Sequence, residues 1–278
     1  MIKFWFKYRG EKMKKRKINW LVAIIVIVAS LFGVNQRQIG QYVSQYNSHE
    51  TSLPTKQTTV QNVADKNLSQ LTFKSGSASY LEVNHNKSTL AVSSWKQNKI
   101  DYGNLDNLNR TTTAIGYLER RNLVRSDTRS AQRWQPTGWH QKTVSFGDRK
   151  IEILNRGHLL AYSVTGKIDD EGKYDENALG SIDNPKNLAT QTEFSNQRTM
   201  QLFEQRVREA LKADKKVIYK VTTVFKGRGL MPLGYHLQAL STDQSLNFNV
   251  FVWNVEPGVK FDYKTGRSKL DSSMKVSE

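Results

Sequence analysis

The strongest pattern along the chain is residues 20–34 (WLVAIIVIVASLFGV), an uncharged, almost wholly apolar run directly after Lys14-Lys15-Arg16-Lys17. It is shorter than the roughly 20 residues that span a bilayer as a helix. A signal-peptide core has this length, but Val34-Asn35-Gln36-Arg37 is a poor cleavage site. We therefore expect an uncleaved signal anchor, with a cleaved signal and secretion as the alternative. Positive charge before such a segment keeps the N-terminus in the cytoplasm and sends the remainder outside. Residues 1–19 then form a basic cytoplasmic segment. Residues 35–70, rich in Gln, Asn, Ser and Thr and without periodicity, read as a polar stalk, and 71–278 as the folded domain.

Within that domain the pattern alternates between periods of two and of about four. Ser79–Val83 reads as a short strand ended by Asn84-His85-Asn86. Asp106–Arg120 has helix-compatible spacing, although Thr111, Thr112 and Thr113 oppose it. Lys142–Phe146 and Arg149–Leu154 read as a hairpin that would deliver His158 at its end, and Asn187–Thr192 as a short extended piece. Glu193–Lys212, free of Gly and Pro, predicts the longest helix, with Leu202, Val207 and Leu211 facing inward. Residues 216–225, 235–240 and 247–255 alternate as strands do, separated by Gly227-Arg228-Gly229 and Ser241-Thr242-Asp243. The expected class is α+β, built around an antiparallel sheet.

Composition narrows the function. Lys and Arg outnumber Asp and Glu 42 to 25, a net charge of +17. Eight basic residues in the first twenty, against Glu11 alone, account for +7, which leaves +10 for the rest. A body that basic favours a polyanionic partner such as nucleic acid. Cysteine is absent, which excludes disulfides, a disulfide-linked partner, thiolate metal sites and cysteine nucleophiles.

Chemistry concentrates around Asn155-Arg156-Gly157-His158, followed by Asn187, Asn196 and Glu204. Cutting a phosphodiester needs an activated water, neutralised phosphate oxygens and a stabilised leaving oxygen. A neutral imidazole at His158 can accept the proton from water. Mg²⁺, or Mn²⁺ in its place, meets the other needs and retains several waters, so one or two hard oxygen ligands suffice. Asn196 can supply one carboxamide oxygen, and Glu204 can hold the metal's waters. Asn196, Met200, Glu204 and Arg208 recur at four-residue steps and would share one helix side, with Met200 interrupting the polar groups. Asn187 has two readings, a site residue or a turn residue after Pro185.

These residues resemble the DNA/RNA non-specific endonuclease family, whose ββα-metal core carries an Asp-Arg-Gly-His motif. From His158 it is 29 residues to Asn187, 38 to Asn196 and 46 to Glu204, a spacing similar to the family's. Residues 184–192 with Asn196-Gln197, residues 103–110 and Pro136-Thr137-Gly138-Trp139-His140 extend the likeness over about 75–265. They look like the branch holding membrane-bound DNA-entry nucleases and streptococcal-type DNases. The resemblance implies a ββα-metal core, His158 as general base and Asn196 as the direct Mg²⁺ ligand. It further implies that Asn187, Gln191, Gln197 and Glu204 complete or orient the site. Arg208, Arg156 and an upstream arginine, Arg129 or Arg133, would grip phosphate. One departure stands out: Asn155 occupies the place of the motif's Asp. The implied activity is Mg²⁺-dependent, sequence-tolerant cleavage of DNA and RNA outside the cytoplasmic membrane. The alternative is a surface nucleic-acid receptor of the same fold without turnover, which an intact His158/Asn196/Glu204 set disfavours.

Overall fold

The computed structural model describes residues 61–125, 132–146 and 149–277. The basic segment, the apolar run at 20–34, most of the stalk and Arg129 lie outside the described residues. Among the described residues no helix is long and apolar enough to cross a membrane.

Thirteen strands and one α-helix follow in chain order among them. The strands before the helix are β1 (Asn62–Val63), β2 (Tyr80–Val83), β3 (Lys99–Tyr102), β4 (Thr113–Leu118), β5 (Thr143–Phe146), β6 (Arg149–Glu152), β7 (Leu154–His158) and β8 (Leu188–Thr192). Helix α1 (Gln201–Lys212) comes next, then β9 (Val217–Val224), β10 (Gly234–Ser241), β11 (Asn247–Trp253), β12 (Val259–Asp262) and β13 (Arg267–Leu270). The main sheet has seven strands in the order β1-β2-β11-β10-β9-β4-β3. All its pairings are antiparallel except β1 with β2. The class is α+β, as expected.

Alternation in the central strands builds two apolar layers. Val217, Tyr219 and Val221 of β9, Tyr235, Leu237 and Ala239 of β10, and Phe248, Val250 and Val252 of β11 point to one face. There they meet Phe203, Val207, Ala210 and Leu211 of α1. The alternate residues Phe251 and Trp253 join Leu68, Leu81 and Val83 on the opposite face. Every residue of β10 is buried, because the chain before β3 covers its polar side. Gln238 Oε1 accepts from Thr89 N at 2.8 Å and Oγ1 at 3.0 Å.

Three expectations are corrected. Asp106–Arg120 is not a helix: Asp106 Oδ1 caps a tight turn by accepting from Leu108 N and Arg110 N, and β4 begins at Thr113. There Ala114 and Leu118 are buried with period two, and the β-branched threonines suit that extended backbone. Leu202 is 45% exposed, since it falls about 100° off the Phe203–Val207–Leu211 stripe. The folded part also begins before Leu71, because β1 pairs with β2 and Leu68 is buried.

The hairpin β5–β6 forms where expected. It does not itself carry His158, because the chain changes partner at Leu154. From there β7 pairs antiparallel with β8, with Asn155 opposite Gln191 and His158 opposite Leu188.

Candidate active site

Strands β7 and β8, then the helix, form a ββα unit beside a cleft of about 1440 Å³. Helix entry is unusual. Residues Ser195–Met200 make a π turn before the regular α-helix starts at Gln201. The extra residue in that turn carries Met200 into the core, where it is fully buried. Asn196, Gln197, Gln201, Glu204, Arg208 and Lys212 then line the cleft together. The interruption that Met200 makes in the four-residue stripe is therefore removed by backbone geometry, and π turns recur at functional sites for this kind of reason.

His158 ends β7, only 7% exposed, and lines the same cleft. Its Nε2 lies 3.0 Å from Ile182 O. A carbonyl only accepts, so Nε2 carries the hydrogen and donates, which puts the neutral ring's lone pair on Nδ1. Ile182 sits in a braced loop. Gln132 Nε2 donates to Arg156 O and to Ile182 O, and Asp183 Oδ1 accepts from Arg133 N and Trp134 N.

Asn187 is fully buried and does not line the cleft. Its Oδ1 accepts from Leu160 N at 2.9 Å, and its Nδ2 donates to Leu160 O and Ser181 Oγ, each at 3.0 Å. It staples the segment after His158 to the loop that presents Ile182 O. Of its two readings, the structural one describes what the side chain touches, and a catalytic role is corrected to a positioning one. Gln191 is likewise fully buried, away from the cleft lining, with Nε2 donating to Ser195 Oγ at 3.1 Å. Contact with nucleic acid through Gln191 is corrected on that ground. Its side chain lies where a Cβ at Gly157 would project, so only glycine fits between Arg156 and His158.

Asn155, which departs from the motif, proves central. Its Oδ1 accepts from Asn196 Nδ2 and from Gln197 Nε2, both at 3.0 Å. Glu204 and Arg208, four residues apart on α1, stand 3.6 Å from each other. Burial pushes the Glu204 carboxyl up to about 7, and the neighbouring Arg208 charge only partly offsets it. Arg156 donates from Nε to Trp134 O at 2.7 Å, and its guanidinium lies over the Trp139 ring at 4.7 Å. Arg133 is exposed, does not line the cleft and is held there by its backbone N–H.

Arg125, Lys150 and Lys212 also line the cleft and were not singled out from sequence. Nothing local marks them among the chain's 42 basic residues. Only the folding of β6, of the chain after β4 and of the end of α1 around one space does so.

Among the described residues no three His, Cys, Asp or Glu side chains cluster as a metal-holding group. Mg²⁺ takes hard oxygens and keeps several waters, so it needs few protein ligands. The Asn196 carboxamide and the Glu204 carboxylate are donors of that kind. A cation beside Glu204 would also relieve the cost of ionising it in the cleft.

The sheet, the cleft and the ββα unit together are the frame that brings His158, Asn196 and Glu204 to one space. The chain belongs to the DNA/RNA non-specific endonuclease family, whose model matches residues 56–269, more than half of its length. It is similar to the crystal structure of NucA from Streptococcus agalactiae with magnesium ion bound, at 29% identity and a TM-score of 0.60, over 68% of this chain and 87% of that one. The same nuclease with no metal bound aligns at 27% identity and a TM-score of 0.61, over 74% and 95%. Sda1 nuclease with bound zinc ion, 19% identical with a TM-score of 0.52 over 68% and 94%, shares the fold. The protein is thus an endonuclease, and nucleic acid is its substrate.

Proposed function

We propose that this endonuclease is Mg²⁺-dependent, with His158 as general base and Asn196 as the protein's direct metal ligand. The observation that carries the reading is the oriented imidazole of His158 in the same cleft as Asn196 and Glu204. With Nε2 tied to Ile182 O, the Nδ1 lone pair takes the proton from the attacking water. Asn196 would offer Oδ1 to the ion, with its Nδ2 donating a hydrogen bond to Asn155 Oδ1. Glu204 would accept hydrogen bonds from water held by such an ion. When bound, Mg²⁺ supplies charge neutralisation at the phosphate and the departing sugar oxygen. The magnesium-bound NucA structure supports that choice of ion, and Mn²⁺ is the expected substitute.

Arg208, Arg156 and the cleft lysines grip phosphate. Contacts to phosphate and sugar carry no sequence information, so cleavage is tolerant of sequence and extends from DNA to RNA. The run at 20–34 anchors the protein in the cytoplasmic membrane, with the nuclease domain outside.

Nicking of supercoiled plasmid tests the chemistry. Cleavage should need Mg²⁺ and stop in EDTA, and His158→Ala should cost about 10²–10⁴-fold in rate with its melting temperature near wild type. Full activity in that variant, or unchanged nicking in EDTA, would overturn the reading.

A further inference from the structure

Three carboxamides meet at the cleft edge, and their hydrogen-bond direction decides what the metal sees. Asn155 Oδ1 accepts one hydrogen from Asn196 Nδ2 and one from Gln197 Nε2, which turns Asn196 Oδ1 away from Asn155. Turning all three amides over gives an equally complete pattern, because Asn155 Nδ2 has two hydrogens and could donate one to each neighbouring oxygen. In that inverted arrangement Asn196 presents an NH₂ group where a cation ligand is wanted. Among the described residues, no other hydrogen bond holds any of these three side-chain amides in one direction.

We propose that Asn155 is a positioning residue that sets the metal affinity of this nuclease through the direction of this amide network. The proposal rests on the reading of Asn196 as metal ligand. With Asn at 155, both directions satisfy the hydrogen bonds, and a cation must select the productive one. The fraction of molecules already turned correctly scales the apparent affinity. A carboxylate at 155 can only accept, so it locks Asn196 and Gln197 in the productive direction and adds a negative charge near the ion. Removing the side chain abolishes the orientation altogether.

The test is calorimetric titration of the full chain with MgCl₂ in the absence of nucleic acid, with DNA binding in EDTA measured in parallel. Asn155→Ala should raise the Mg²⁺ Kd about 10- to 100-fold, the range commanded by groups that orient a metal ligand. Asn155→Asp, which has nearly the same shape, should lower it about tenfold from the combined lock and charge. Affinity for DNA in EDTA should stay near wild type in Asn155→Ala, which a general loss of structure would not allow. Wild-type Mg²⁺ uptake with the same Kd in both variants would overturn the proposal and leave Asn196 as ligand standing. A wild type that takes up no Mg²⁺ yet nicks plasmid in EDTA would overturn the metal reading itself, and this proposal with it. Should Asn155→Ala fail to fold, Asn155→Asp carries the test alone, and a Kd no lower than wild type would overturn the proposal.

Discussion

Glu204 is the residue where burial and function pull in opposite directions. Its side chain is 12% exposed, and its carboxyl is pushed up to about 7 by burial, against the partial relief of Arg208. An acid whose folded pKa is raised contributes fully to stability below its unfolded value. That contribution is lost as pH rises from about 4.5, its ordinary value, through about 7. In EDTA, then, the protein should lose stability across that window, on the order of 3 kcal/mol from this group. Glu204→Gln should flatten the loss, so that its melting temperature exceeds wild type at pH 8 while nicking falls. Mg²⁺ should narrow the gap by raising the wild type. A variant no more stable than wild type at pH 8 in EDTA would mean that the carboxylate is not held at such cost. Burial also separates the polar residues of this region from one another. His158, Asn187, Asn196, Gln191 and Gln197 are alike as polar residues at plausible spacings. Whether an amide faces a cleft or a backbone depends on neighbours that no local pattern names.

At the scale of elements, α1 shows how one shifted turn reconciles packing with chemistry. A regular helix through 193–212 would place Met200 between Asn196 and Glu204. The π turn buries Met200 and leaves the polar residues on the cleft side. Apolar spacing located the helix, because its period survives in Phe203, Val207 and Leu211. The π turn leaves no mark in the sequence because it depends on what Met200 can bury against once the sheet is in place. Phe203 packs edge-on against Tyr80 at 5.2 Å and at a tilt against Phe248 at 5.3 Å. Phe203→Ala should therefore cost about 3–5 kcal/mol in chemical denaturation, whereas Leu202→Ala should stay within about 0.5 kcal/mol. Equal costs would mean that the helix is turned differently on the sheet.

Across the whole molecule, sequence and fold divide the N-terminal region differently. The polar composition of 35–70 reads as stalk, yet residues 62–68 supply β1 and a buried leucine. If 20–34 anchors the protein with the domain outside, protease added to wall-stripped cells should release an active fragment. Its new N-terminus should fall within 35–60, because pairing and burial protect 61–70. Release with ends near Leu71 would contradict that packing, and protein found mostly in the medium and starting after Val34 would favour a cleaved signal. What the sequence determined by itself was what depends on local period, charge and residue type. That covers the antiparallel α+β class, the central strands, the long helix and the basic body, and it marks His158, Asn196 and Glu204 as candidates that the fold brings to one cleft. Tertiary structure alone decided the change of partner at Leu154, the π turn and the Asn155 amide network. It also separated Asn187 and Gln191, buried as braces, from Arg125, Lys150 and Lys212 around the cleft. Each of those depends on residues distant along the chain, and a linear pattern has no term for the space they enclose.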